Sequence, residues 1–310
     1  MRLLVDADPV VYGCAFVAED ATYFVILADG RQLFFDNGDA KKAWKKENKE
    51  SDEPIEIIDE FQQVDVGPLS HSKAAARTQL NYIKTAVADH WKVSTKDLHV
   101  TLVLSGKTNF RNAIAVTREY KGNRKEVRKP EHHGAVRAYL KHDFDAVEVE
   151  NREADDEIAI LAHQCIADKV PYAVATIDKD LDQIPGLKFD YNKKVFYEVE
   201  KDEAMQLFWG QVLSGDSTDN IPGCPGVGAV KAKKLVDMWT EAGAAPEDIW
   251  AGIVEVYEQG KRHAKCEYEA RSAEDAALET ARLVHLQTYP GQLWNPPGIK
   301  DGRVEVGLDD

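Results

Sequence analysis

No stretch of the 310 residues approaches the ~20 consecutive apolar residues of a membrane-spanning helix, so no membrane partner is expected. Cysteine is scarce as well. Cys14, Cys165, Cys224 and Cys266 lie far apart with no Cys-x-x-Cys pair, which argues against a zinc knuckle and predicts reduced thiols. The start has no basic segment leading into a long apolar run, and Asp6 and Asp8 interrupt it, so no secretory signal is read there. These absences predict a cytoplasmic protein, in the host cytoplasm if a phage encodes it. Prolines number only 12, and repeats and low-complexity tracts are missing, so a disordered or solenoid chain is not expected. Basic residues fall short too, 39 against 54 acidic for a net charge of −15, which is awkward for a nucleic-acid partner. The shortfall is uneven. From Arg118 to Lys129 six basic residues (Arg118, Lys121, Arg124, Lys125, Arg128, Lys129) face two acids, Glu119 and Glu126.

What is present is the composition of an ordinary globular protein, 44% hydrophobic and 30% charged, long enough for one or two domains. Arg2 to Val5, Leu98 to Leu104, Ala146 to Val149 and Tyr172 to Ile177 are short apolar runs suited to strands. Between them Ala76, Leu80, Ile83 and Val87, and then Ile158, Leu161, Ala162, Cys165 and Ile166, repeat at helical spacing. Strands alternating with helices predict an α/β fold with a mostly parallel sheet covered on both faces. Tyr23 to Leu27 and Gln32 to Phe35 flank Asp29-Gly30 as a hairpin, and the charged segment Asp36 to Glu60 reads as a loosely held continuation of a peripheral insertion. From about Met205 the pattern is helical, with Ala232, Leu235, Val236 and Trp239 on one stripe and a further helix around Glu274 to Gln287.

The acids fall in a telling place. Asp6 ends the first strand, Glu153, Asp155 and Asp156 follow the third, and Asp178 and Asp180 end the fourth. In open α/β sheets the ligand crevice lies at the carboxyl ends of the strands, so these acids are expected to converge. Asp155 and Asp156 alone would suit a helix N-terminus, and Asp178 to Asp182 alone a solvated turn. Together they repel one another, and bound cations are the economical remedy; Mg²⁺ takes hard oxygen ligands of this kind. Downstream, Gly215 to Gly228 is rich in glycine and opens a helix bearing Lys231, Lys233 and Lys234. Gly226 and Gly228 would let backbone approach a phosphate at that helix start, with Asp216 and Asp219 just upstream. The island from Arg118 could be a solvated helix face or an electropositive gate, Tyr120 stacking on a base while Lys121 and Arg124 hold a phosphate.

LLVDAD (Asp6), EYKGNRK (Tyr120 to Lys125), EADDEIAILA (Glu153, Asp155, Asp156), TIDKDLDQI (Asp178, Asp180) and GDSTDNIPGCPGVG (Asp216 to Gly228) together resemble the 5′ nuclease superfamily of flap endonucleases and 5′-to-3′ exonucleases, phage-type enzymes and the nuclease domain of bacterial DNA polymerase I included. The resemblance implies a PIN-like α/β domain over 1–204, with an insertion at about 20–68 and a helical arch at about 108–138. A helix-three-turn-helix DNA-binding lobe with C-terminal helices would follow over 205–310. It implies two Mg²⁺ ions, replaceable by Mn²⁺, the first near Asp6, Glu153, Asp155 and Asp156 and the second near Asp178, Asp180, Asp216 and Asp219. Lys121 and Arg124 would act in catalysis. Tyr120, Lys125, Gly223, Gly226, Gly228, Lys231, Lys233 and Lys234 would meet DNA, and K⁺ would sit at the Gly223 to Gly228 turn. One departure is Leu104-Ser105-Gly106-Lys107, where many members carry an acid in place of Ser105.

The expected activity is metal-dependent hydrolysis of DNA near 5′ ends, flaps and single-strand/duplex junctions, in phage-type replication or primer removal alongside replication proteins. Alternatives are RNase H-type cleavage of RNA–DNA hybrids, an aspartyl phosphatase using Asp6 with Asp8, and a non-catalytic DNA-structure binder.

Overall fold

A computed structural model describes residues 1–125 and 127–303. Glu126 of the charged island and residues 304–310 of the expected C-terminal lobe lie outside the described residues. The strands are β1 (Arg2–Asp6), β2 (Glu19–Leu27), β3 (Gln32–Phe35), β4 (Ile57–Val66), β5 (His99–Ser105), β6 (Val147–Val149), β7 (Tyr172–Ala175), β8 (Gly186–Asp190) and β9 (Val195–Val199). The helices are α1 (Asp8–Phe16), α2 (Gly38–Glu50), α3 (Leu69–Trp91), α4 (Arg111–Ile114), α5 (His133–Asp143), α6 (Ala154–Asp168), α7 (Lys201–Ser214), α8 (Ala229–Glu241), α9 (Pro246–Gly260) and α10 (Ala273–Val284). No helix among the described residues is long and apolar enough to cross a membrane.

The chain divides into two units, one of residues 1–9, 80–128 and 140–310, the other of 10–79 and 129–139. This differs from the expected boundary at 204/205, for a physical reason: the C-terminal helices share hydrogen bonds with the sheet domain. Arg111 Nε donates to the Leu283 carbonyl, Gln183 Nε2 to the Val284 carbonyl, and the Gln287 N–H to Asp156 Oδ1.

The first unit holds a six-stranded sheet in the order β6-β5-β1-β7-β8-β9, parallel except for β9. Leu3, Leu4 and Val5 of β1 are buried, the continuous apolar run of a strand covered on both faces. From β1 the chain passes outward to β5 and β6, and α6 then carries it back to β7 on the other flank of β1. That reversal places a crevice at the carboxyl ends of β1 and β7. The apolar stripe of α6, with Ile158, Ala159 and Ala162, packs with Leu4, Val103 and Val174 of the sheet. A second core joins α7 to α10 through Phe208, Trp209, Val236, Ile253, Tyr257 and Ala277, with Ala232 and Val236 of the expected stripe buried.

Three expectations need correction. The sheet has two strands beyond those expected: β8, whose apolar run is broken by Lys188, and β9, whose Val195-Phe196-Tyr197 run carries a strand signal that went unused. Asp36 to Glu60 is not loose: Asn37 Oδ1 caps α2 by accepting from the Ala40 N–H, and β4 begins at Ile57. The segment 108–138 forms no helical arch among the described residues. It holds the one-turn α4, a 3₁₀ turn at Gly122–Arg124, and the start of α5 at His133.

In the second unit β2 pairs antiparallel with β3 through the expected hairpin and with β4 on its other edge.

Candidate functional site

Asp6 is the last residue of β1 and 3% exposed; Thr176, just past β7, donates its hydroxyl to Asp6 Oδ2 at 3.2 Å. The strand expected to reach Ile177 ends at Ala175 because Thr176 turns the chain, its Oγ1 accepting the Asp178 N–H at 2.9 Å. Asp178 in turn accepts the Asp180 N–H at 2.9 Å and caps a short 3₁₀ turn. Asp155 and Asp156 enter from the first turn of α6, whose N-cap is Glu153. Asp180 Oδ1 accepts from Gln211 Nε2 of α7 at 2.7 Å, and Asp216 Oδ1 accepts the Thr218 N–H at 2.7 Å.

These acids feel one another. Burial, with the charges of Asp8 and Asp178 behind it, raises the Asp6 carboxyl far above its ordinary range. Asp155 is raised by burial and by Asp6, Asp178 and Glu153. Asp180 is pushed up to about 7 by burial and by Asp178, Asp216 and Asp219. An open crevice of about 520 Å³ joins Asp155, Asp178, Asp180, Asp216 and Asp219 to Lys121 and Arg124.

The basic island meets this crevice through a docked loop. Lys121 takes a left-handed backbone (φ 54°), and its N–H donates to the Asp219 carbonyl at 2.9 Å. Asn220, also left-handed at φ 60°, returns Nδ2 to the Glu119 carbonyl at 2.9 Å. Arg124 Nε donates to the Thr218 carbonyl, and its Nη2 pairs with Asp219 Oδ1 at 2.5 Å. Lys121 Nζ pairs with Glu153 Oε1 and stands 3.5 Å from Asp219 Oδ2. Burial opposes the Lys121 charge, but Glu153 and Asp219 outweigh it and raise the ammonium.

Two residues expected at the site have other occupations. Asp156 is fully buried and does not face the crevice. Arg111 grips it through Nη1 at 2.6 Å and Nη2 at 2.9 Å, and the Glu153 N–H donates to its Oδ2 at 3.1 Å. Burial raises this carboxyl, and Arg111 more than reverses the effect, so it is held below its ordinary range. Tyr120 is not a surface ring available for stacking: it is buried in the helical core, its hydroxyl 2.8 Å from both Glu153 Oε2 and Asp219 Oδ2. Its one proton serves one acid at a time, and burial raises Asp219 although Lys121, Tyr120 and Arg124 pull it down.

Among the described residues no three His, Cys, Asp or Glu side chains already stand as a cage around an ion. Glu153, Asp156 and Asp219 are drawn to cationic side chains, while Asp6 and Asp178 act on Asp155 and Asp178, Asp216 and Asp219 act on Asp180. The donor set nonetheless fits a hard divalent cation. Carboxylate oxygens dominate the crevice, neither histidine nor cysteine lines it among the described residues, and burial with neighbouring acids raises Asp155 and Asp180.

The glycine-rich turn is built differently from the expectation. Gly215 pairs with Pro222 and Asp216 with Ile221 in a two-residue ladder. A Cβ on Gly215 or Gly223 would fall 2.2 Å from the other residue's backbone nitrogen, so the close crossing is there. Gly226 needs its left-handed backbone (φ 77°), whereas Gly228 is an extended N-cap of α8 with open space around it. Lys231, Lys233 and Lys234 are exposed on α8, Lys233 paired with Asp237 at 2.8 Å. Exposed Lys125 pairs with Glu119 at 2.7 Å.

Sequence reasoning missed Arg111 and Gln211. The signal for Arg111 was a lone arginine in the apolar run Asn109 to Val116; Gln211 gave none. Ser105, noted as a missing acid, accepts the Ala154 N–H on its hydroxyl at 2.9 Å and so fixes the start of α6.

No family model matches the chain. It is 28% identical over 260 residues to DNA polymerase I of Bacillus caldotenax, covering 78% of this chain and 27% of the polymerase, and so spans about a quarter of that protein's length. It is 29% identical over 203 residues to flap endonuclease Xni of Shewanella halifaxensis, covering 61% of this chain and 75% of that one. The fold is that of T5 5′-exonuclease, solved with bound zinc, at a TM-score of 0.52 and 18% identity over 93% of this chain and 91% of that one.

Proposed function

We propose that the chain is a 5′ nuclease, in line with its likeness to DNA polymerase I and flap endonuclease Xni, and that it hydrolyses DNA phosphodiester bonds near 5′ ends and flaps with divalent metal ions, in replication or primer removal. The observation that carries this reading is the crevice in which Asp155, Asp178 and Asp180 crowd together beside Lys121 and Arg124. Negative charge for a cation and positive charge for a phosphate stand side by side there.

Asp6, Glu153 and Asp155 would hold one ion, and Asp178, Asp180, Asp216 and Asp219 a second, with Mg²⁺ the suited metal. Asp156 serves that set from behind, as the buried partner of Arg111. A divalent ion in this setting supplies Lewis-acid polarisation of the phosphate ester and neutralises its charge. Lys121 and Arg124, released from Glu153 and Asp219, would turn to the phosphate and stabilise charge developing on its oxygens. Tyr120 keeps Glu153 and Asp219 in place. Gly223, Gly226 and Gly228 with Lys231, Lys233 and Lys234 would hold the duplex backbone at the start of α8, and Lys125 would add to the positive rim.

The test gives the protein a 5′-labelled flap, a blunt duplex and an RNA–DNA hybrid with Mg²⁺, and sizes the first products. Short products from the flap are expected, with Asp180→Ala cutting at least ~100-fold more slowly while DNA affinity stays within a few-fold. Normal turnover by Asp180→Ala, or intact DNA after prolonged incubation of the parent protein, refutes the reading.

A further inference from the structure

Residues 19–66 take no part in that chemistry, and their small sheet has two unlike faces. Helix α2 covers one: Trp44 packs on Phe35 with ring centroids 5.9 Å apart, and Lys41 and Lys45 pair with Glu60 at 3.2 and 2.5 Å. The strand register sets Phe34, Phe24 and Phe61 side by side on the other face. Phe24 and Phe61 stack with centroids 4.8 Å apart and planes within 10°, while Phe34 is 71% exposed and Phe61 43%.

Alternation along the strands brings Asp20, Asp59 and Asp65 to the same face, Asp20 directly opposite Asp65. Like charges so placed destabilise a sheet, and an exposed aromatic row costs solubility. Among the described residues no ion pair relieves any of these three acids. Apolar rings ringed by unpaired carboxylates suit a ligand both flat and cationic. A guanidinium meets both needs, stacking on aromatic faces and bonding carboxylates through its planar fork.

We propose that this phenylalanine ladder docks an arginine-bearing segment of another protein, its guanidinium groups lying over Phe34 and Phe61 and pairing with Asp20, Asp59 and Asp65. Single-stranded nucleic acid also stacks on aromatic rows, but its phosphates would meet a segment with thirteen acidic and six basic residues. A second copy of the chain would bring the same excess of negative charge. The inference is independent of the nuclease reading.

The test titrates the full chain with fluorescein-labelled (Arg-Ala)₄, (Lys-Ala)₄ and a twelve-residue oligothymidine, followed by anisotropy. The arginine peptide is expected to bind about five-fold tighter than the lysine peptide. Phe34→Ser/Phe61→Ser should weaken the arginine peptide about ten-fold and erase its advantage. Asp20→Asn/Asp65→Asn should weaken both peptides, whereas Asp52→Asn/Glu53→Gln, with equal charge removed elsewhere, should leave both unchanged. Unchanged arginine-peptide binding by the phenylalanine variant overturns the proposal. So does oligothymidine binding, or self-association of the parent chain, that vanishes with Phe34 and Phe61.

Discussion

Two sets of ion pairs, one behind the crevice and one at its mouth, differ in depth. Arg111 and Asp156 are 2% and 0% exposed, joined by two hydrogen bonds, with Arg111 also donating to the Leu283 and His285 carbonyls. Lys121 with Glu153 and Arg124 with Asp219 range from 15% to 43% exposed and sit at the mouth. Opening the first strands a charge in the interior, whereas opening the second returns charges to water or to a ligand at little cost. The same pairing of base and acid is thus scaffold at one depth and an exchangeable grip at the other.

Breaking the deep pair should have the largest effect. Arg111→Met leaves Asp156 buried and uncompensated, and a loss of about 3–5 kcal/mol is expected in urea unfolding. The double variant Arg111→Met/Asp156→Leu should recover much of it. A loss under 1 kcal/mol from the single change would mean that the pair does not pin α6 to the C-terminal helices.

Next comes pH, which sharpens the contrast between acids with and without a cationic partner. Asp180 is raised from an ordinary value of 3.8 to about 7, and Asp6 and Asp155 are raised as well. Between those values the folded protein holds protons that the unfolded chain has released. Their contribution to stability is therefore complete below about pH 4 and lost as pH rises through 7. Without divalent ions, Tm should fall by on the order of 5 °C between pH 5 and 8, and Mg²⁺ should restore it at pH 8 but hardly at pH 5. A Tm independent of both would show that the acids do not share a field.

The smallest effect is expected at the mouth. Lys121→Met and Arg124→Met should each change stability by less than ~1 kcal/mol. Removing Lys121 also frees Glu153 of its competing cation, so terbium bound in place of magnesium should bind a few-fold more tightly by luminescence. Weaker terbium binding would make Lys121 a support of the acid cluster rather than its rival.

Much of the fold was legible because it repeats locally. The apolar runs at Leu3 to Val5 and Val100 to Leu104 and the helical stripe from Ile158 announced a parallel α/β sheet, and acids at strand ends announced a crevice. The strand carrying Lys188 hid because its apolar pattern is broken; in the fold that buried lysine donates to the Ile184 carbonyl. The fate of each acid was not legible. Asp155 and Asp156 are adjacent and identical in type, yet one joins the crowded crevice and the other is held by Arg111, 45 residues away.

Sequence alone determined which acids the protein has, their order, and the sheet that carries them to one end of its strands, because periods of two and 3.6 residues are properties of a local stretch. Only the tertiary structure decided that Asp156 is scaffold, that Tyr120 is core, and that Lys121 and Arg124 rest on Glu153 and Asp219. Charge pairing and burial depend on neighbours through space, and those neighbours come from segments distant along the chain.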